Sequence, residues 1–145
     1  MVPASAAWGE EALPTVALHH VSVVSTDLAR SVDFYTRLFD LQPMARPPFA
    51  SQGAWLACGA LQVHIVLYPE GTFRGRGVET SDVHFAFRTD DFEAFVAKLA
   101  ENGFREDAGE GDPHRMIVRS GLAGFPQVYV TDPDRNLIEV NGAPA

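Results

Sequence analysis

The sequence predicts an α+β fold: two tandem βαβββ modules whose mixed sheet curls into a half-open, barrel-like cleft. Three observations predict it. The order strand–helix–strands occurs twice along the chain. Polar landmarks recur at matching offsets: His20 precedes Asp27 by seven residues and His84 precedes Asp91 by seven, while His64 follows Gly59 by five and Glu139 follows Asp134 by five. The length of 145 residues, with 46% hydrophobic and 21% charged, suits one globular domain with a real core. A repeat of about 55–60 residues suits a duplicated supersecondary unit rather than a solenoid.

Residues 1–16 read as a loose tail. They hold no Lys or Arg, and Gly9, Glu10, Glu11 and Pro14 interrupt the apolar residues, so the basic and unbroken apolar parts of a signal peptide are missing. The domain is expected over 17–145, with module one at about 17–70, a linker at 71–81 and module two at about 82–142. "ALHHVSVVS" is rich in β-branched residues and predicts a strand. In "TDLARSVDFYTRLFDL", Thr26 or Asp27 can cap a helix whose stripe is Leu28, Val32, Tyr35 and Phe39. "QPMARPPF" reads as a Pro-rich break. "GAWLACG" and "LQVHIVLY" read as strands around Gly59, and "PEGTFRGRGVETS" as a Gly-rich loop in which Arg74 and Arg76 are solvated.

The second module repeats this grammar. "DVHFAFRT" predicts a strand. "DDFEAFVAKLAENG" predicts a helix capped by Asp90 or Asp91, striped by Phe92, Phe95, Val96 and Leu99, and stopped at Gly103. "RMIVRS", "FPQVYVT" and "LIEVNG" predict strands, the last two joined by the turn "DPDRN".

Charge excludes some functions. The net charge is −8, from 19 acidic and 11 basic residues, and no basic run exists, so nucleic acid and anionic membranes are not expected partners. No stretch approaches the ~20 apolar residues of a membrane span. Cys58 is the only cysteine, so an intrachain disulfide framework is impossible. A cytoplasmic protein is expected.

Side chains alternate faces along a strand. His20 then shares a face with Ser22 and Val24, with His19 on the other; His84 stands opposite Phe85 and Phe87, and Glu139 opposite Ile138 and Val140. The greasier face belongs under a helix. His20, His64, His84 and Glu139 therefore share the concave face. Three imidazoles and a carboxylate suit a divalent metal ion: Zn, Ni, Co, Mn or Fe(II). Four ligands on four strands leave positions open on a metal that takes five or six, the mark of a catalytic site. A buried Glu139 needs a partner, and a cation supplies one. Trp55, Gln127 and Tyr129 are candidates for lining the substrate cavity.

"HHVSVVSTDLARSVDFYTRLFDL" and "DPDRNLIEV" resemble the two signatures of the vicinal oxygen chelate superfamily, which includes glyoxalases, bleomycin- and fosfomycin-resistance proteins and extradiol dioxygenases. The resemblance covers roughly residues 17–142. It implies metal ligands on the first and last strand of each half, the places of His20, His64, His84 and Glu139. It also implies a small-molecule substrate, a homodimer, and a glyoxalase-like lyase or isomerase in which Glu139 is the base. Lactoylglutathione lyases of that superfamily usually carry Glu or Gln at the place of His64. An Fe(II)-dependent extradiol-type dioxygenase and a fosfomycin- or bleomycin-resistance-type protein are the alternatives.

Overall fold

A computed structural model describes residues 15–75 and 77–144. Most of the expected tail, and Arg76 of the linker, lie outside these residues. Module one contains β1 (His20–Ser25), α1 (Leu28–Phe39), β2 (Gln42–Met44), β3 (Gly53–Cys58) and β4 (Leu61–Leu67). Module two contains β5 (His84–Arg88), α2 (Phe92–Glu101), β6 (Ile117–Arg119), β7 (Gln127–Thr131) and β8 (Leu137–Asn141). Each module is one βαβββ unit, as expected. The sheets have the same order, β1-β4-β3-β2 and β5-β8-β7-β6. In each, the first strand runs parallel to the last and the remaining pairs are antiparallel. The result is two curled four-stranded mixed sheets with two helices and no closed barrel.

The helices start where the capping chemistry predicts. Asp27 accepts a hydrogen bond from the backbone N–H of Arg30, and Asp91 accepts one from Ala94. Helix α1 ends at Asp40, which turns left-handed at φ 55°. Strand β2 follows at once, where the sequence reading expects only a Pro-rich break. Its Pro43 is tolerated because β2 is a sheet edge, where a missing N–H breaks no inner ladder.

Leu56, Ile65, Val128 and Ile138 are completely buried on the helix-facing sides of the sheets. From α1, Phe34, Tyr35 and Leu38 sink into the same core. Phe39 crosses the module boundary and stacks on Phe87 at 4.7 Å, with Phe95 of α2 at 5.4 Å. Burial of this apolar surface supplies most of the driving force.

A polar clasp also joins the modules. The turn between β7 and β8 carries two buried carboxylates, Asp132 and Asp134. Tyr35 donates its hydroxyl to Asp132 at 2.7 Å. Asp134 accepts from the Thr26 hydroxyl at 2.6 Å, from the Thr26 backbone N–H at 3.1 Å and from Arg30 at 3.3 Å. The Asn136 side chain donates to the Val24 carbonyl at 3.1 Å. Among the described residues, no helix is long and apolar enough to cross a membrane.

Candidate metal centre

The module-two half of the predicted ligand set is built on β5 and β8. These strands run parallel, with Ala86 opposite Glu139, so His84 sits one same-face step before the carboxylate. His84 Nε2 lies 3.7 Å from Glu139 Oε1. His84 Nδ1 lies 2.7 Å from the Asp82 carbonyl oxygen. A carbonyl only accepts, so Nδ1 carries a proton; in the neutral ring the lone pair is then on Nε2, on the side of Glu139. Two donors at ~2.1 Å from one ion lie about 3.0–3.4 Å apart, so this pair needs only slight tightening to chelate. Glu139 is 8% exposed, and its Oε1 accepts from the Gln127 side-chain amide at 3.3 Å.

Tyr129 stands directly across from Glu139 on β7, with its ring 5.9 Å from that of His84. Burial pushes the Tyr129 hydroxyl pKa up, and hydrogen bonding to Glu139 and its charge push the same way; Arg119 opposes them. The Arg119 guanidinium lies 5.1 Å over the Tyr129 ring.

The module-one half occupies the equivalent strands, β1 and β4, but in a different pose. Trp55 faces His64 across the β3–β4 ladder, and the two rings stack at 4.1 Å with planes 4° apart. The His20 ring stacks on the other side of His64 at 3.9 Å and 15°. Gln62 Oε1 lies 2.7 Å from His64 Nε2. Burial first, then the neighbouring His20, His19 and Arg46, hold the His64 imidazole below its ordinary pKa. A metal lies in the plane of the imidazole that binds it, about 2.1 Å from the nitrogen. Two nearly parallel rings 3.9 Å apart cannot share one ion in that way, so one of the two must rotate before both can join a metal.

His19 is placed differently from the alternation reading. It precedes β1, so the strand does not turn its ring away. The ring lies 5.2 Å from that of His20 and 6.3 Å from that of His64.

The structure therefore brings His84 to Glu139 and His20 to His64, but does not unite the pairs. Among the described residues, no three His, Cys, Asp or Glu side chains converge as metal ligands. Strands β1 and β5 are the free edges of their sheets and flank a cavity lined by Val21, Val23, Val83 and Phe85. Trp55 stands with the first pair, Gln127 and Tyr129 with the second. Arg74 donates to both Asp82 carboxylate oxygens at 2.9 Å. The sequence reading passes over Gln62, Arg119 and the Asp82 carbonyl. Same-face spacing two residues before His64 points to Gln62, whereas a backbone carbonyl leaves no trace in composition.

The donor chemistry fits a divalent cation. The His84–Glu139 half is prearranged for one, with the tautomer set by Asp82. The His20–His64 half has the donors but not the pose.

Comparison with known proteins agrees with the fold. The family model for the Glyoxalase/Bleomycin resistance protein/Dioxygenase superfamily matches residues 17–140. The chain is 28% identical over 131 residues to Glyoxylase I 4 of Arabidopsis thaliana, covering 88% of this chain and 71% of that protein. It is 29% identical over 130 residues to the glutathione transferase FosA of Serratia marcescens, covering 86% and 79%. A crystal structure of a glyoxalase family protein from Bacillus anthracis superposes with a TM-score of 0.69 at 20% identity, covering 91% of this chain and 98% of that one. With its duplicated modules and a family match over most of its length, this chain belongs to the glyoxalase/bleomycin resistance protein/dioxygenase superfamily.

Proposed function

We propose that this protein is a divalent-metal-dependent lyase or isomerase of the glyoxalase type, acting on a small oxygen-bearing substrate. The observation that carries this reading is the His84–Glu139 pair, with the His84 tautomer set by the Asp82 carbonyl. The likeness to a glyoxalase I relative supports it. Glu139 and His84 would hold the metal together with His20 and His64, once one of those two rings has rotated. When bound, a divalent ion polarises a substrate oxygen and offsets the negative charge that develops there. Glu139 takes a proton from the carbon beside a carbonyl and returns it to the neighbouring carbon. Gln127, donating to Oε1, restrains rotation of that carboxylate. Trp55, Gln127 and Tyr129 flank the donors and are assigned to substrate contact.

The working unit in this reading is a homodimer. In it, His20 and His64 of one copy would meet His84 and Glu139 of a second; among the described residues of one chain no three such side chains converge. The test starts with metal analysis of protein purified without chelator. Wild type and Glu139→Gln then receive the hemithioacetal of methylglyoxal and glutathione. Stoichiometric divalent metal is expected in wild type, and turnover should fall at least ~100-fold in the variant. The reading fails if wild type neither carries nor takes up Zn, Ni, Co, Mn or Fe(II). Full metal occupancy in a protein that sediments as a monomer removes the two-copy arrangement.

A further inference from the structure

The two first-strand histidines, His20 and His84, occupy equivalent places in the duplicated fold, and each has the same ring nitrogen engaged. His84 Nδ1 meets the Asp82 carbonyl at 2.7 Å. His20 Nδ1 meets Nδ1 of His19 at 2.9 Å, with the two rings nearly perpendicular at 87°. When two imidazole nitrogens meet at this distance, one carries the proton and the other accepts it. His19 is anchored beside β1. Its backbone carbonyl is tied to β4 by the Gln62 N–H at 3.2 Å, which fixes the residue just ahead of the strand.

We infer that His19 is a positioning residue: its Nδ1 accepts the Nδ1–H of His20, so His20 presents the lone pair of its Nε2. A side chain in module one thus does what a backbone carbonyl does in module two. An unrestrained histidine favours the opposite tautomer, with the proton on Nε2, where it blocks coordination through that atom. A group held on the far nitrogen of a metal-binding histidine orients the ring and raises its basicity. The consequence for metal affinity rests on the reading of His20 as a donor; the tautomer does not, because it is a property of the metal-free protein.

The experiment uses 15N-labelled, metal-free full chain at a pH near 8, where imidazoles are neutral. Long-range 1H–15N correlation spectra report which nitrogen of His20 carries the proton. The expected result is Nδ1–H in wild type, Nε2–H in His19→Ala, and Nδ1–H again in His19→Asn, whose Oδ1 stands two bonds from Cβ as the imidazole Nδ1 does. Zinc affinity, measured by competition with a chelator, should drop about 10–100-fold in His19→Ala and recover in His19→Asn. Nε2–H in wild type, or an unchanged pattern in His19→Ala, overturns the inference. A switched tautomer with unchanged zinc affinity overturns the positioning role. If the tautomer follows residue 19 while wild type binds no metal, the proposed function falls and the tautomer assignment stands.

Discussion

Replacing Tyr35 by phenylalanine removes one oxygen atom from a side chain with no solvent exposure. That hydroxyl donates to Asp132 Oδ2 at 2.7 Å, across the boundary between the modules. Asp132 is itself 2% exposed, so water cannot replace the lost donor. A hydrogen bond to a charged group contributes about 1.5–3 kcal/mol. Asp132 keeps three other donors: the Asn136 side chain at 2.8 Å and the backbone N–H groups of Asp134 and Asn136, both at 2.9 Å. The lower part of the range therefore applies, about 1.5–2 kcal/mol. For a chain of this size that lowers Tm by about 6–8 °C. With a urea m-value of about 2 kcal/mol/M, the midpoint falls by about 0.8–1 M at unchanged m. The effect of pH has a definite sign. Burial raises the Asp132 pKa, and the Tyr35 hydrogen bond is one of the contacts that oppose it by favouring the carboxylate. The contribution of Tyr35 is thus full at neutral pH, where Asp132 is ionised. It fades as pH falls through the raised folded-state pKa, which lies above the ordinary ~3.9. Urea unfolding at pH 7 and at pH 4.5 checks both parts. A deficit under ~0.5 kcal/mol at pH 7, or one that grows on acidification, refutes the reasoning.

Two further substitutions test the site's surroundings. A Cβ at Gly53 would stand 2.4 Å from the Ile65 carbonyl oxygen, a backbone atom in the middle of the sheet that cannot easily yield. Gly53→Ala should cost about 1–3 kcal/mol in urea unfolding; a neutral result would mean that β3 shifts freely against β4. Trp55 lies flat on His64, whose imidazole burial holds below its ordinary pKa. In a Trp8→Phe background without metal, Trp55 emission should be quenched as His64 gains its proton, with a midpoint below ~6.5. The same depressed pKa means that stability is lost as pH falls through that midpoint. A midpoint above 6.5, or no change in emission, contradicts the stack.

Much of the fold is legible in the sequence because its signals are local. Asp27 and Asp91 announce the helix starts. The alternation around Val63, Ile65, Ile138 and Val140 marks the buried faces, and the equal offsets of His20 and His84 reveal the duplication. Strand β2 is not legible, because Pro43 and its neighbours carry turn chemistry and pair only as an outer edge. The repeat singles out four candidate donors, but their relative placement is not legible. Whether His20 and His64 lie side by side or stack depends on Trp55, and the pairing of Trp55 with His64 depends on register between β3 and β4. The orientation of His19 is missed for a simpler reason: alternation applies only inside a strand, and His19 lies just outside one.

The clasp at the β7–β8 turn makes the duplicated halves unequal. Asp132, Asp134 and Asn136 belong to module two, yet they are satisfied in large part by Tyr35, Thr26, Arg30 and the Val24 carbonyl of module one. At the corresponding place, module one has only the short turn at Gly59 and Ala60, which offers no carboxylate in return. The repeat is thus one of pattern and not of parts. Cut at the linker, module one would bare the Phe39 face and the Tyr35 hydroxyl, and module two would carry two carboxylates shaped for partners that had left. Each module thus leans on the other, and neither is a smaller copy of the pair.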